Sequence, residues 1–179
     1  MVSRVIPVDP FDLVIFGGTG DLARRKILPG LFRRYCAGQM PDEARVIGAA
    51  RSEMDTADYR NFVAEAIREF GGGRACEDGT LADFLKRLDY VAIDAKGEGG
   101  WRDLAKRMRP KVVRAFYFSV GPSLFDDLAE RLNTHGLTDD GSRIVVEKPF
   151  GRDLGTARQL NRDLAAFFDE SQIYRIDHY

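Results

Sequence analysis

The chain has 179 residues, enough for one well-buried domain and too few for two generous ones. Its 27 Lys and Arg offset 28 Asp and Glu, and the net charge of -1 gives no reason to expect nucleic acid or an acidic membrane surface as partner. Apolar residues make up 44%, no apolar run approaches the about 20 residues of a membrane span, and the amino terminus lacks a signal-peptide layout, so a soluble cytoplasmic domain is expected. Cys36 and Cys76 have no metal-ligand spacing and form no disulfide framework, which suits a reducing compartment.

Met1 to Pro10 reads as an extended lead-in. Phe11 to Phe16 is a first strand, apolar enough to be covered on both faces. It runs into Gly17-Gly18-Thr19-Gly20, which opens an amphipathic helix from Asp21 toward Tyr35 with Leu22, Ile27, Leu28, Leu31 and Phe32 at helical spacing. Pro29 inside this stretch predicts a kink, or a first half that ends near Ile27. Arg45 to Ala50 is a second strand and ends at Arg51-Ser52. Asp55 or Thr56 caps a helix with Phe62, Val63, Ala66, Ile67 and Phe70 on one face, stopped by Gly71-Gly72-Gly73. A short helix is expected over Leu81 to Leu88, a strand over Tyr90 to Ile93, and a helix over Trp101 to Met108. Val112 to Val120 is the most apolar stretch and reads as a central strand. Gly121-Pro122 turns into a helix with Ser123 as its cap, then a strand runs from Arg143 to Glu147. Leu154, Ala157, Leu160, Leu164 and Phe168 mark a last helix, and Gln172 to Ile176 a last strand.

Six strands alternating with helices predict an α/β fold, a doubly wound, mostly parallel sheet with helices on both faces, Rossmann-like. Ligands of such sheets sit outside the carboxyl ends of the strands. Gly17 to Gly20, Arg51, Gly121-Pro122, Lys148 and Asp177-His178 all fall at those ends. The order of buried strand, glycine turn and helix start is what a dinucleotide pyrophosphate requires, because the turn admits the phosphates and the first helical N–H groups face them. Gly17-x-x-Gly20-x-x-Ala23 departs from the commonest G-x-G-x-x-G spacing, and its last position holds Ala, small enough for close helix packing. After the second strand, where NAD-preferring sites hold a carboxylate, stands Arg51, and an acid follows only at Glu53. A guanidinium pairs with the 2′-phosphate of NADP, so NADP is favoured over NAD. Lys148, before Pro149 at a strand end, is placed to reach substrate hydroxyl and cofactor together. His178 is a candidate phosphate ligand and Asp177 a candidate support for a base supplied elsewhere, while His135 reads as a surface residue.

The strings Phe16-Gly17-Gly18-Thr19-Gly20-Asp21-Leu22-Ala23 with Lys26, Glu147-Lys148-Pro149-Phe150-Gly151, and Tyr174-Arg175-Ile176-Asp177-His178-Tyr179 resemble the glucose-6-phosphate 1-dehydrogenase family over essentially the whole chain. Gly18-Thr19 stands where that family usually has Ala-Ser, and Gly121-Pro122 where it commonly has two prolines. The resemblance implies oxidation of glucose 6-phosphate at C1 to the lactone, with hydride transfer to NADP, in the pentose phosphate pathway. It further implies that Gly17, Gly18, Thr19, Gly20, Asp21 and Leu22 hold the pyrophosphate and Arg51 the 2′-phosphate. Tyr117 and Lys148 would contact the cofactor, Lys148 also the sugar, and His178 and Tyr179 the substrate phosphate. Asp177 would support the catalytic base, which the family carries further along its chain. Residues 1–179 are therefore expected as one NADP-binding domain, inactive alone, from a protein that oligomerises through a domain beyond it. The alternatives are another NADP-dependent sugar oxidoreductase of the glucose–fructose oxidoreductase type and a non-catalytic NADP-binding module.

Overall fold

The computed structural model describes residues 8–71, 78–147 and 150–177. Six strands form one sheet: β1 Phe11–Phe16, β2 Arg45–Ala50, β3 Leu88–Ala92, β4 Val113–Phe118, β5 Ser142–Glu147 and β6 Ile173–Ile176. Their order across the sheet is β3-β2-β1-β4-β5-β6, and every neighbouring pair is parallel. The helices between them are α1 Leu28–Cys36, α2 Thr56–Phe70, α3 Asp78–Leu85, α4 Trp101–Arg107, α5 Phe125–Thr134 and α6 Leu154–Ala165. The expected parallel, doubly wound sheet is the fold found.

Two apolar layers hold it. Val14, Phe16, Phe116, Phe118, Ile144 and Val146 face α4, α5 and α6 through Trp101, Leu104, Phe125, Leu128 and Leu160. The opposite face of β1 to β3, with Leu13, Ile15, Val46 and Leu88, packs on Leu28, Phe32, Tyr59, Val63 and Phe84. That explains the near-continuous apolar run of β1, which lies in the middle of the sheet with helices on both sides. The second face of β4 and β5 is only half covered. There Val113, Ala115 and Tyr117 alternate with buried neighbours, as do Arg143, Val145 and Glu147. The Tyr117 hydroxyl donates to the Glu147 carboxylate across this half-open face.

The helix after β1 breaks where Pro29 predicts. A π-helical turn spans Ala23–Ile27, with the Leu28 N–H donating to Ala23 O, and α1 follows with Pro29 in its first turn. Proline brings no N–H, so the wider turn falls where the α pattern loses a bond anyway. Three expectations are corrected. Leu88 opens β3 rather than closing a helix, since α3 ends at Leu85 and Leu88 pairs in register with Val46. Ser123 caps nothing: Pro122–Leu124 is a short 3-10 turn, and α5 starts at Phe125 without a side-chain cap. Cys36 is disulfide-bonded, against the expectation of no disulfide, and Cys76 lies outside the described residues.

Candidate coenzyme site

A cleft of about 710 Å³ opens at the carboxyl ends of β1 to β4. Gly17, Thr19 and Gly20 form one wall, Arg51 and Ser52 follow β2, Asp94 and Lys96 follow β3, and Ser119 to Gly121 follow β4. This is the point where the strand order reverses, because β2 leaves β1 on one side and β4 on the other.

The glycine turn is held by backbone. The N–H groups of Gly17 and Gly18 donate to Ala49 O at 2.8 and 3.2 Å, and Gly20 N–H donates to Gly17 O at 2.9 Å. The first helical bond runs from Arg24 N–H to Gly20 O at 3.0 Å, so the N–H groups of Asp21, Leu22 and Ala23 have no intrahelical acceptor. Their partial positive charge stands at the rim of the cleft. Gly17 has φ +80°, and a Cβ there would fall onto Ser119 O. A Cβ on Gly18 would come within 2.9 Å of Gly48 Cα and 3.0 Å of the Tyr59 hydroxyl. The turn is therefore pressed flat between β4 and β2, which leaves room above it.

The cleft fits a dinucleotide on its own features. The Ser119 hydroxyl is buried without a partner at the cleft wall. Arg51 and Lys96 bring two cations to one rim, and Ala50, Ile93 and Leu128 supply an apolar wall. Beside it, a hollow of about 330 Å³ is lined by Leu22, Pro122 and Glu147 and shares Ser119, Val120 and Gly121 with the cleft.

The other candidate residues distribute unevenly. Asp21 stands in the first helical turn, its carboxylate 2.6 Å from Arg25 Nε on the exposed side. Tyr117 is not in the cleft. It lies on the half-open face and lines a separate hollow of about 590 Å³ with Leu13, Lys26 and Ile27. Asp177 follows β6, exposed and outside the cleft lining. Lys148, His178 and Tyr179 lie outside the described residues. His135 stacks on Trp101, ring centroids 6.0 Å apart, and is not among the cleft residues. Ser119 and Lys96 escape a sequence reading because neither belongs to a motif. Gly48 gives a signal that reading passed over, since a glycine inside a strand marks close approach of other atoms. Here the atoms are the Tyr59 ring, on which a Gly48 Cβ would fall.

A doubly wound parallel sheet with a glycine turn and a helix start at its switch point defines a dinucleotide-binding domain. The chain belongs to the family described as "Glucose-6-phosphate dehydrogenase, NAD binding domain", whose model matches residues 14–179. It is 46% identical over 181 residues to the glucose-6-phosphate 1-dehydrogenase of Rhizobium meliloti, covering 100% of this chain and 37% of that protein. The crystal structure of the glucose-6-phosphate 1-dehydrogenase of Mycobacterium avium superimposes with a TM-score of 0.86 at 33% identity, over 95% of this chain and 36% of that one. A glucose-6-phosphate dehydrogenase solved with its substrate glucose 6-phosphate superimposes with a TM-score of 0.84 at 32% identity, over 97% of this chain and 38% of that one. The chain thus spans a little over a third of the length of these relatives. Its relatives are oxidoreductases, and the domain type is one that takes a nicotinamide dinucleotide. Among the described residues, no helix is long and apolar enough to cross a membrane.

Proposed function

We propose that this chain is the NADP-binding part of a glucose-6-phosphate 1-dehydrogenase, a cytoplasmic enzyme whose oligomer contacts lie outside these residues. The longer protein would oxidise the C1 hydroxyl of glucose 6-phosphate to the lactone. The nicotinamide, when bound, accepts the hydride. The observation that carries the reading is the single cleft lined by both the glycine turn, through Gly17, Thr19 and Gly20, and Arg51.

Gly17 to Gly20 admit the pyrophosphate close to the backbone, and the free N–H groups of Asp21 and Leu22 meet its charge. Arg51 takes the adenosine 2′-phosphate with a planar pair of donors, a geometry that lysine lacks. Tyr117, which lines the separate hollow on the half-open face, and Lys148 are proposed as further coenzyme contacts. Lys148 would also bond the sugar, and His178 and Tyr179 its phosphate. Asp177 would hold a base in one tautomer, so that neutral imidazole takes the C1 proton.

The test is coenzyme binding to the Arg51→Ala variant. Loss of a charge-assisted phosphate contact costs about 1.5–3 kcal/mol, so NADP should bind roughly ten- to a hundredfold more weakly. NAD, which lacks that phosphate, should keep its affinity. Equal weakening of both dinucleotides in calorimetric titrations would remove the 2′-phosphate role.

A further inference from the structure

Two buried tyrosines stand under the cleft, Tyr59 from α2 and Tyr90 from β3. They are 0% and 3% exposed, and their ring centroids lie 4.9 Å apart. Their hydroxyls reach different parts of the rim. Tyr59 Oη donates to Gly18 O at 3.0 Å, in the middle of the glycine turn. Tyr90 Oη lies 2.6 Å from Ser52 O and 3.2 Å from Ala50 O, so it donates to the nearer and shares its proton with the other. Those are the carbonyls on either side of Arg51. The bend that carries this arginine beyond β2 is therefore tied, from both sides, to one phenol in the next strand.

We infer that Tyr90 is a specificity-determining positioning residue that fixes the Ala50–Ser52 bend so that Arg51 meets the 2′-phosphate, while Tyr59 fixes the turn that NAD and NADP use alike. The inference rests on the NADP reading above. Arg51 is exposed at the end of a bend, and a long cationic side chain loses rotamer freedom when it grips a phosphate. Holding its backbone beforehand removes part of that ordering cost, and the removal favours only the ligand that carries the phosphate. Burial pushes both phenols above their ordinary range, with the Glu53 charge adding to the effect at Tyr90, so both stay protonated and remain donors at neutral pH. Apart from these hydroxyls, both rings fill core space with Val63, Leu88 and Phe84, a task phenylalanine performs equally well.

The Tyr→Phe exchanges isolate the hydroxyls. NADP and NAD are titrated in parallel into single preparations of the wild-type chain, Tyr90→Phe, Tyr59→Phe, Arg51→Ala and Arg51→Ala/Tyr90→Phe. A fraction that fails to fold then lowers the number of sites and leaves the ratio of the two dissociation constants untouched. Tyr90→Phe should weaken NADP about fivefold, the worth of one anchoring hydrogen bond, and keep NAD within about twofold. Tyr59→Phe should weaken both dinucleotides to the same extent. With Arg51 already removed, Tyr90→Phe should no longer change the ratio. A wild-type ratio in Tyr90→Phe, equal weakening of both coenzymes by it, or a further ratio change without Arg51 each overturns the inference. A wild-type chain with no preference for NADP instead removes the reading of Arg51 on which the inference stands, before any tyrosine variant is compared.

Discussion

Gly17 meets two separate demands at one position. Its φ of +80° lies in the left-handed region, which costs an L side chain about 1–2 kcal/mol. Its Cα also faces Ser119 O so closely that a methyl group has no room without moving β4 away from β1. Gly17→Ala should therefore lose at least about 2 kcal/mol, which in a domain of this size lowers Tm by roughly 4–8 °C. Because the shift opens the wall of the cleft, coenzyme affinity should fall even at temperatures where the variant is fully folded. A variant that melts with the wild type and binds equally well would show that the turn relaxes without strain. Gly20 differs: it has no positive φ, and a Cβ there would meet only Gly17 O, at 3.1 Å. The two glycines of one motif thus answer to different constraints.

Strand β3 gathers its neighbours through one carboxylate. Asp89 accepts from Thr56 Oγ1 of α2 at 2.5 Å, from the Arg107 guanidinium of α4, and from the Tyr90 N–H at 2.9 Å. Partial burial alone raises its pKa, but the bonds from Thr56, Arg107 and Tyr90 and the arginine charge outweigh it, so the carboxyl titrates below its ordinary value. A depressed folded value means that the carboxylate stabilises the fold above the unfolded value of about 3.9, and that this stabilisation is lost as pH falls through the folded value. Asp89→Asn should cost on the order of 1 kcal/mol at pH 7, given that the group is a third exposed, and the gap to wild type should close in acid. Urea melts across pH 7 to 2.5 measure it, and a gap independent of pH would show that the carboxylate charge contributes nothing. Element boundaries such as the α3–β3 junction were poorly legible in the sequence because Leu88 suits either periodicity, and only its pairing with Val46 decides. The β1 turn was legible because strand, glycines and helix start are contiguous. The tyrosine brace was not, since Tyr59 and Gly18 are 41 residues apart and an aromatic on an apolar helix face reads as ordinary core. Val112 to Val120 read as a central strand, and β4 lies inside the sheet, but its alternation of buried and half-buried residues depends on tertiary packing. Phe116 and Phe118 are fully covered on one face, while Ala115 and Tyr117 on the other are only partly covered by the cluster that α1 and α2 build.

At the scale of the whole molecule, the two halves of the sheet meet at β1 and β4, and the chain joins them by one crossover from β3 through α4. A buried ion pair locks that crossover at the amino ends of the strands, opposite the coenzyme cleft. Asp12, fully buried in β1, accepts from Arg109 N–H at 2.8 Å, Nε at 2.9 Å and Nη2 at 2.7 Å. The same guanidinium reaches Phe11 O at 3.2 Å and Glu43 O at 2.5 Å, so the segment entering β4 is tied both to β1 and to the approach to β2. Asp12 pairs in register with Arg45 and Arg114, the latter holding Arg109 O at 3.1 Å, which sets the lock at a fixed level in the sheet. Removing one partner of a buried pair leaves the other charge uncompensated, a loss of about 3–5 kcal/mol, and here Asp12 is fully buried while Arg109 is partly exposed. Arg109→Ala should fall in the lower part of that range, because Asp12 keeps the backbone N–H of residue 109 and Arg109 is itself a quarter exposed. Asp12→Ala should fall higher, since it empties the centre of the lock and leaves a cavity beside β4. The double variant should lose clearly less than the sum of the two, by about 1–3 kcal/mol, as expected for groups that act as a unit. Moderate salt should change none of these values much, because the pair is shielded from the ions that weaken surface bridges. Denaturant unfolding of the four proteins at two ionic strengths measures the coupling. Additive losses, or a coupling that salt abolishes, would show that the two halves are joined by packing across β1 and β4 alone.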